Sequence, residues 1–288
     1  MVTLQRFIYP ETLEEALSAL AAGREKARPI AGGTSLIFKK GRGTETLVDI
    51  TRLGLDTISV DEPGLVLGAC ARLQRLGDSP LVAVPSLRAL GEAASRAGPR
   101  GVRNAITVGG NLAGYKRWSD TPIALMALGG SAHIAGPQPR QLRVSELLRE
   151  HPLSQLEPGE LITRILVPGP QPDVGSAFVK VSRTAIDYAL VSAAARIALD
   201  EYGRCADVTL ALGSVCHLPT DATPLTGELQ GVEPSEELLN RVADRITEEI
   251  QPGQDMRASR EYLARLAGVT ARDALATALR RARGQDHG

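Results

Sequence analysis

Two short runs have the composition of turns that hold phosphate. Ala31-Gly32-Gly33-Thr34-Ser35-Leu36 follows the strand-like stretch Arg28-Pro29-Ile30. Residues without Cβ let backbone N–H groups approach an anion, and consecutive turn N–H groups form a nest for it. Thr34 and Ser35 add hydroxyl donors. The run lacks both the Lys-Ser/Thr of a P-loop and the three spaced glycines of a Rossmann turn, so taken alone it reads as an ordinary tight turn. Thr107-Val108-Gly109-Gly110-Asn111-Leu112 repeats its elements in another order: a hydroxyl, two glycines, then an amide. A little further on, Ser119-Asp120 opens a helical stretch. That aspartate could cap its own helix, or accept both hydroxyls of a ribose. Two glycine–hydroxyl turns and a carboxylate together suggest a ligand with two phosphates and a sugar.

These residues need elements to position them. Thr12 and Glu15 form a capping box for a helix with Leu13, Ala16, Leu17 and Leu20 on one face, ended by Gly23. Strands are expected over 28–31, 46–50, 65–69, 161–167, 176–182, 188–199 and 208–212. A polar segment begins at 72, an amphipathic helix spans 87–97, and the stretch 100–112 is expected to be turn-rich. A short apolar helix runs over 122–128, Pro137-Gln138-Pro139 marks a surface loop, and helices over 236–250 and 259–279 finish the chain. Pro168-Gly169-Pro170-Gln171-Pro172 is the strongest breaker cluster and places a domain boundary nearby. The pattern is mixed α+β, without repeats or low-complexity tracts.

Lys plus Arg and Asp plus Glu are 33 each, so the chain of 288 residues carries no basic excess for nucleic acid or a membrane surface. Aromatic residues make up 3%, too few for a base-stacking platform. A chain near neutrality tends to associate, so a partner is expected. Cys70, Cys205 and Cys216 are far apart with no CxxC pair; they read as plain thiols, not iron–sulfur ligands. His133, His151, His217 and His287 form no triad or metal pattern. Met1 to Phe7 holds no signal-like apolar run and no stretch is long enough for a membrane helix, so a soluble, cytoplasmic protein is expected.

The run 31–36, the run Arg103-Asn104-Ala105-Ile106-Thr107-Val108-Gly109-Gly110-Asn111-Leu112 and Ser119-Asp120 resemble the FAD signatures of the molybdenum hydroxylase flavoproteins. These are the medium subunits of carbon monoxide dehydrogenase-like enzymes and the flavin domain of xanthine dehydrogenase. The resemblance continues through Ser176–Arg183 and Asp187 to Asp255–Tyr262, at the start of the C-terminal helix. It implies an FAD-binding domain of the vanillyl-alcohol-oxidase / p-cresol-methylhydroxylase type over 1–172, made of two α+β subdomains (roughly 1–55 and 56–172). A C-terminal α+β domain of the CO dehydrogenase flavoprotein type follows over 173–288.

The cofactor set implied is Ile30, Ala31, Gly32, Gly33, Thr34, Ser35, Leu36, Thr107, Gly109, Gly110, Asn111, Gly114, Ser119, Asp120, Ile162 and Lys180. The two glycine runs would contact the pyrophosphate, and Asp120 with Ser119 the adenosine ribose. Ile162 would lie near the isoalloxazine and Lys180 would reach the flavin region. The partners implied are a large molybdenum–pterin subunit and a small [2Fe–2S] subunit, in a dimer of heterotrimers (a heterohexamer). Electrons would pass through FAD to NAD⁺, oxygen or another acceptor, and this chain would supply no catalytic acid, base or nucleophile. Gly114-Tyr115-Lys116-Arg117-Trp118 departs from the family pattern, as does Thr184 in place of a second arginine. Lys116 or Arg117 is expected to screen the pyrophosphate and Trp118 or Tyr115 to cover adenine; an exposed basic loop or a partner contact is the alternative. A free-standing FAD oxidoreductase and a flavin-free subunit or assembly factor are the competing functions.

Overall fold

The structure, a computed structural model, describes residues 4–36 and 43–285. Its first sheet is parallel, with β1 (Arg6–Ile8), β2 (Ala27–Ile30) and β3 (Thr46–Asp49) in the order β1-β3-β2. Helix α1 (Leu13–Gly23) crosses between β1 and β2. Thr12 accepts from the Glu15 N–H at 3.2 Å, and the Glu15 carboxylate reaches back to the Glu11 N–H at 2.8 Å. The face so started buries Ala16 and Leu20 against Val48, Ile50, Cys70 and Leu161.

The second sheet is antiparallel in the order β4-β5-β8-β6-β7, built from β4 (Ile58–Asp61), β5 (Gly64–Gly68), β6 (Ser131–Ala135), β7 (Arg140–Arg143) and β8 (Leu161–Pro168). Between β5 and β6 come α2 (Leu73–Gly77), α3 (Arg88–Arg96), α4 (Arg100–Arg103), α5 (Val108–Ala113) and α6 (Thr121–Ala127), with α7 (Val144–Leu147) after β7. The segment expected to be turn-rich is therefore largely helical. Pro99 opens α4, and tertiary contacts described below hold the start of α5.

The third sheet is antiparallel, β12-β11-β10-β9, with β9 (Val174–Val181), β10 (Val191–Leu199), β11 (Cys205–Gly213) and β12 (Thr220–Asp221). Helices α8 (Glu236–Glu249) and α9 (Arg260–Ala282) follow it, and Ser259 caps α9 at the Tyr262 N–H. Strand side chains alternate between faces, so β9 and β10 serve two cores at once. Ala177, Ala193 and Ala195 join the core built with α9, whereas Phe178 and Ala194 join the core built with α3 and α6. Alanines suit this place because helices press on both faces. A Cβ on Gly175 would lie 2.0 Å from the Ala278 carbonyl oxygen of α9.

Polar ties cross from the third sheet to the helical segment. Arg281 grips Glu92 with both ends of its fork, at 2.6 and 3.2 Å, and donates to the Ser176 carbonyl. The Ser176 hydroxyl accepts from the Ala89 N–H in the first turn of α3.

Candidate functional site

The first glycine run leaves β2 as a loop, Ala31–Leu36, and lies directly on the segment before α5. A Cβ on Gly32 would stand 1.8 Å from the Ala105 carbonyl oxygen, a contact no side chain survives. Gly33 adopts φ +69°, where glycine is favoured. Among the described residues the N–H groups of Gly32, Gly33, Thr34 and Ser35 have no hydrogen-bond partner, which is how a nest awaiting an anion looks. Their cleft is bounded across the loop by Gly114, where a Cβ would come within 3.7 Å of the Ser35 hydroxyl.

The second run behaves differently. Thr107 caps α5, its hydroxyl accepting from the Gly110 N–H at 3.1 Å. The Val108 and Gly109 N–H groups donate to Ala71 and Ala69, and the Asn111 N–H donates to the Thr107 carbonyl. A Cβ on Gly109 would lie 2.6 Å from that of Ala69, so this glycine exists to seat α5 on the end of β5. The N–H groups at the start of α5 are thus already used. What the second run turns toward a ligand is side-chain chemistry: the Thr107 hydroxyl and the Asn111 carboxamide, whose Oδ1 is buried without a partner.

Asp120 stands at the start of α6 but does not cap it. Its Oδ2 accepts instead from the Lys180 ammonium of β9, at 2.8 Å, and Lys180 also donates to the Arg96 carbonyl. Both side chains are almost wholly enclosed, 2% and 4% exposed, and Asp120 Oδ1 has no partner. Burial pushes the Asp120 carboxyl up to about 6, against the pull of Lys180 and Arg96. The two residues expected at the ribose and near the flavin thus share one locus. Beside them the Ser119 hydroxyl accepts from the Lys116 N–H and from Asn111 Nδ2.

These groups line a single cleft of about 850 Å³. Ala31, Gly32, Gly33, Thr34, Ser35, Leu36, Thr107, Gly109, Gly110, Asn111, Gly114, Ser119, Asp120, Ile162 and Lys180 all face it. Ile30 does not; it sits in β2, and its carbonyl accepts from the Ile50 N–H. The volume lies in the upper range for small-molecule sites and suits a long, two-part ligand. Unpartnered N–H groups at one place and a buried acceptor with a spare oxygen at another fit the pyrophosphate and ribose of FAD.

The divergent segment is only partly on the cleft. Lys116 and Trp118 line it. Arg117, expected at the pyrophosphate, turns the other way and binds the Ser214, Val215 and Gln254 carbonyls and the Asp255 carboxylate. Tyr115, expected over adenine, is 3% exposed in the core with its hydroxyl on the Arg117 carbonyl. Three carbonyls and a carboxylate draw Arg117 away from the cleft, and the apolar core takes the Tyr115 ring. The sequence reading missed Tyr188, placed there in a strand: β10 begins only at Val191, and loop 182–190 brings Tyr188 to the cleft, its ring 4.6 Å from that of Trp118. The signal was available, since in a chain with one tryptophan and five tyrosines an aromatic beside Asp187 needs a reason.

Among the described residues no cluster of histidine, cysteine and acidic groups could hold a metal, and no helix is long and apolar enough to cross a membrane. Burial pushes the Cys70 and Cys205 thiols up to about 11, which keeps them protonated. His287 lies outside the described residues.

The chain as a whole is similar to known proteins. Residues 3–170 match the family described as FAD binding domain in molybdopterin dehydrogenase, and residues 176–278 the CO dehydrogenase flavoprotein C-terminal domain. The chain is 32% identical to 6-hydroxypseudooxynicotine dehydrogenase complex subunit alpha of Paenarthrobacter nicotinovorans, covering 96% of this chain and 95% of that one. It is 31% identical to the carbon monoxide dehydrogenase medium chain of Afipia carboxidovorans, covering 95% and 96%. Among solved structures, the reconstituted CO dehydrogenase from Oligotropha carboxidovorans superposes with a TM-score of 0.89 at 29% identity, covering 98% of this chain and 99% of that one.

Proposed function

The chain belongs to the family of FAD-binding subunits of molybdopterin dehydrogenases, and on that footing we propose that it carries electrons between a partner subunit and an external acceptor. The observation that carries the reading is the convergence, in one cleft, of a run of N–H groups without a partner among the described residues and a buried carboxylate with one spare oxygen. The N–H groups of Gly32 to Ser35, with the hydroxyls of Thr34 and Ser35, hold the pyrophosphate. Thr107 and Asn111 approach it from α5. Asp120 Oδ1 accepts from the ribose hydroxyls while Lys180 fixes the other carboxylate oxygen. Ile162, on β8, gives the ring system an apolar wall.

Bound FAD supplies the redox chemistry, as a carrier that can pass electrons singly or in pairs. This chain's own task is to bind, orient and shield it, so no general acid, base or nucleophile is required of its side chains. The upstream partners we propose are a small [2Fe–2S] subunit and a large molybdenum–pterin subunit in a dimer of heterotrimers, with NAD⁺ or oxygen downstream, in the cytoplasm. The names of the relatives support a place in a complex, since they are called a medium chain and a complex subunit.

The test is the absorption spectrum of the purified chain before and after acid release of its cofactor. Flavin bands with about one released FAD per chain, and no FMN, are expected. A colourless chain that cannot be reconstituted with FAD overturns the reading.

A further inference from the structure

We infer that Arg117, Asp255 and Arg257 form a latch that positions the Trp118–Tyr188 ring pair at the rim of the cleft, and that the pair so held slows release of the bound dinucleotide. The second half rests on the proposal that the cleft takes FAD; the first does not.

The neighbours of Arg117 on either side, Lys116 and Trp118, line the cleft, yet its own guanidinium is spent elsewhere. Nε donates to the Ser214 carbonyl at 2.7 Å, Nη1 to Gln254 at 3.0 Å and Nη2 to Val215 at 3.4 Å. Nη2 also pairs with Asp255 at 3.3 Å. Asp255 is 6% exposed, and Arg257 grips both of its oxygens, with Nη2 on the same Oδ2 at 2.8 Å and Nε on Oδ1 at 3.0 Å. Arg257 then donates to the carbonyls of Tyr188 and Ala189, at 3.3 and 3.1 Å. The Tyr188 ring returns to Trp118, 4.6 Å between centroids and tilted by 34°.

The contacts thus close a circuit that begins at Arg117 and ends at its neighbour Trp118. Every link except the ring contact involves a guanidinium, so the ring contact is the soft one. Asp255 is pulled down to about 2, chiefly by the Arg257 hydrogen bond, so the latch keeps its charges throughout the neutral range. The rings are 40% and 57% exposed, free to part on the solvent side while their inner faces line the cleft. They come from opposite parts of the fold, the segment before α6 and the loop between β9 and β10, so their contact spans the rim. Arg117 and Arg257 do not touch the cleft and act as positioning residues.

Trp118 is the chain's one tryptophan, so emission excited on the long-wavelength side of tyrosine absorption reports on Trp118 and its ring contact alone. The first measurement uses the full chain without FAD. Arg117→Lys keeps the charge but not the fork that serves three carbonyls. We expect an unchanged far-ultraviolet spectrum and a Trp118 signal shifted in the same sense as in Tyr188→Leu; an unshifted signal overturns the latch. The second measurement is FAD release from the loaded chain. Each single variant should speed it about tenfold, the scale of one aromatic contact, and the double variant no more than either alone. Effects that multiply, or an unchanged rate, overturn the inference. If Arg117→Lys does not fold, Arg257→Lys opens the circuit from the other side. A wild-type chain that binds no FAD sinks the reading of the cleft, and the first measurement still decides the latch.

Discussion

Replacing Lys180 with methionine removes the ammonium that faces Asp120 at 2.8 Å and leaves a side chain of similar reach. Both partners are almost inaccessible, so water cannot take the place of the ammonium. Removing one partner of a buried pair costs about 3–5 kcal/mol when the remaining charge must stay charged. Asp120 has another course, which is to take up a proton. Its carboxyl already titrates at about 6 in the folded chain, raised by burial from an ordinary 3.8. Without Lys180 it rises further. An acid whose folded pKa lies above its unfolded value stabilises the fold in acid, and that contribution is lost as pH rises through the folded pKa. The wild-type chain at pH ~5 already carries a mostly protonated Asp120, so Lys180→Met should cost only about 1 kcal/mol there, the worth of a hydrogen bond. At pH ~8 the cost should reach about 3–5 kcal/mol. Urea denaturation of the FAD-free chain at both pH values measures this. A cost equal at the two pH values, or below ~1 kcal/mol at the higher one, refutes the account of a desolvated pair.

Gly32→Ala should abolish FAD binding and lower stability by at least ~2 kcal/mol, since backbone has to move; Gly101→Ala, with nothing within 4 Å of its Cβ, should be neutral in the same melting and binding assays. Asp255, depressed to about 2, contributes stability above pH ~4 that is lost as pH falls through its folded value. Asp255→Asn should therefore cost about 2 kcal/mol at neutral pH and flatten the acid limb of the stability curve. Ribose hydroxyls donating to Asp120 favour its ionised form, so FAD binding should expel a proton. Affinity measured by titration should be about tenfold weaker one pH unit below the carboxyl's pKa, and Asp120→Asn should erase that slope.

What the sequence makes legible is what neighbouring residues decide. The start of α1 follows from Thr12 and Glu15 alone, and the loop at Gly32-Gly33 from the backbone freedom it needs. The rest is settled by contacts distant in sequence. Asp120 looks like a helix cap until Lys180, sixty residues on, claims its carboxylate. The second glycine run resembles a nest, but Ala69 and Ala71 take its N–H groups and make it the start of a helix. Arg117 and Tyr115 have the right chemistry for a ligand and are drawn instead to carbonyls of the third sheet and to the core. Short strands such as β1, β4 and β7 carry exposed or half-buried residues with no apolar run, and only pairing with β3, β5 and β6 defines them. The near-continuous burial of β10 does show in its alanine run, but not which core each alanine joins.

The central claim is that the cleft reads both halves of a dinucleotide, with phosphates at the first loop and ribose at Asp120. The most direct test is the affinity of the cofactor-free chain for FAD against FMN, which has the ring system but no adenosine. The account predicts FAD bound at least ~100-fold more tightly, the scale of two or more lost hydrogen bonds to buried groups, with the gap narrowing sharply in Asp120→Ala. Equal affinity for the two flavins, or a gap untouched by that substitution, would contradict it.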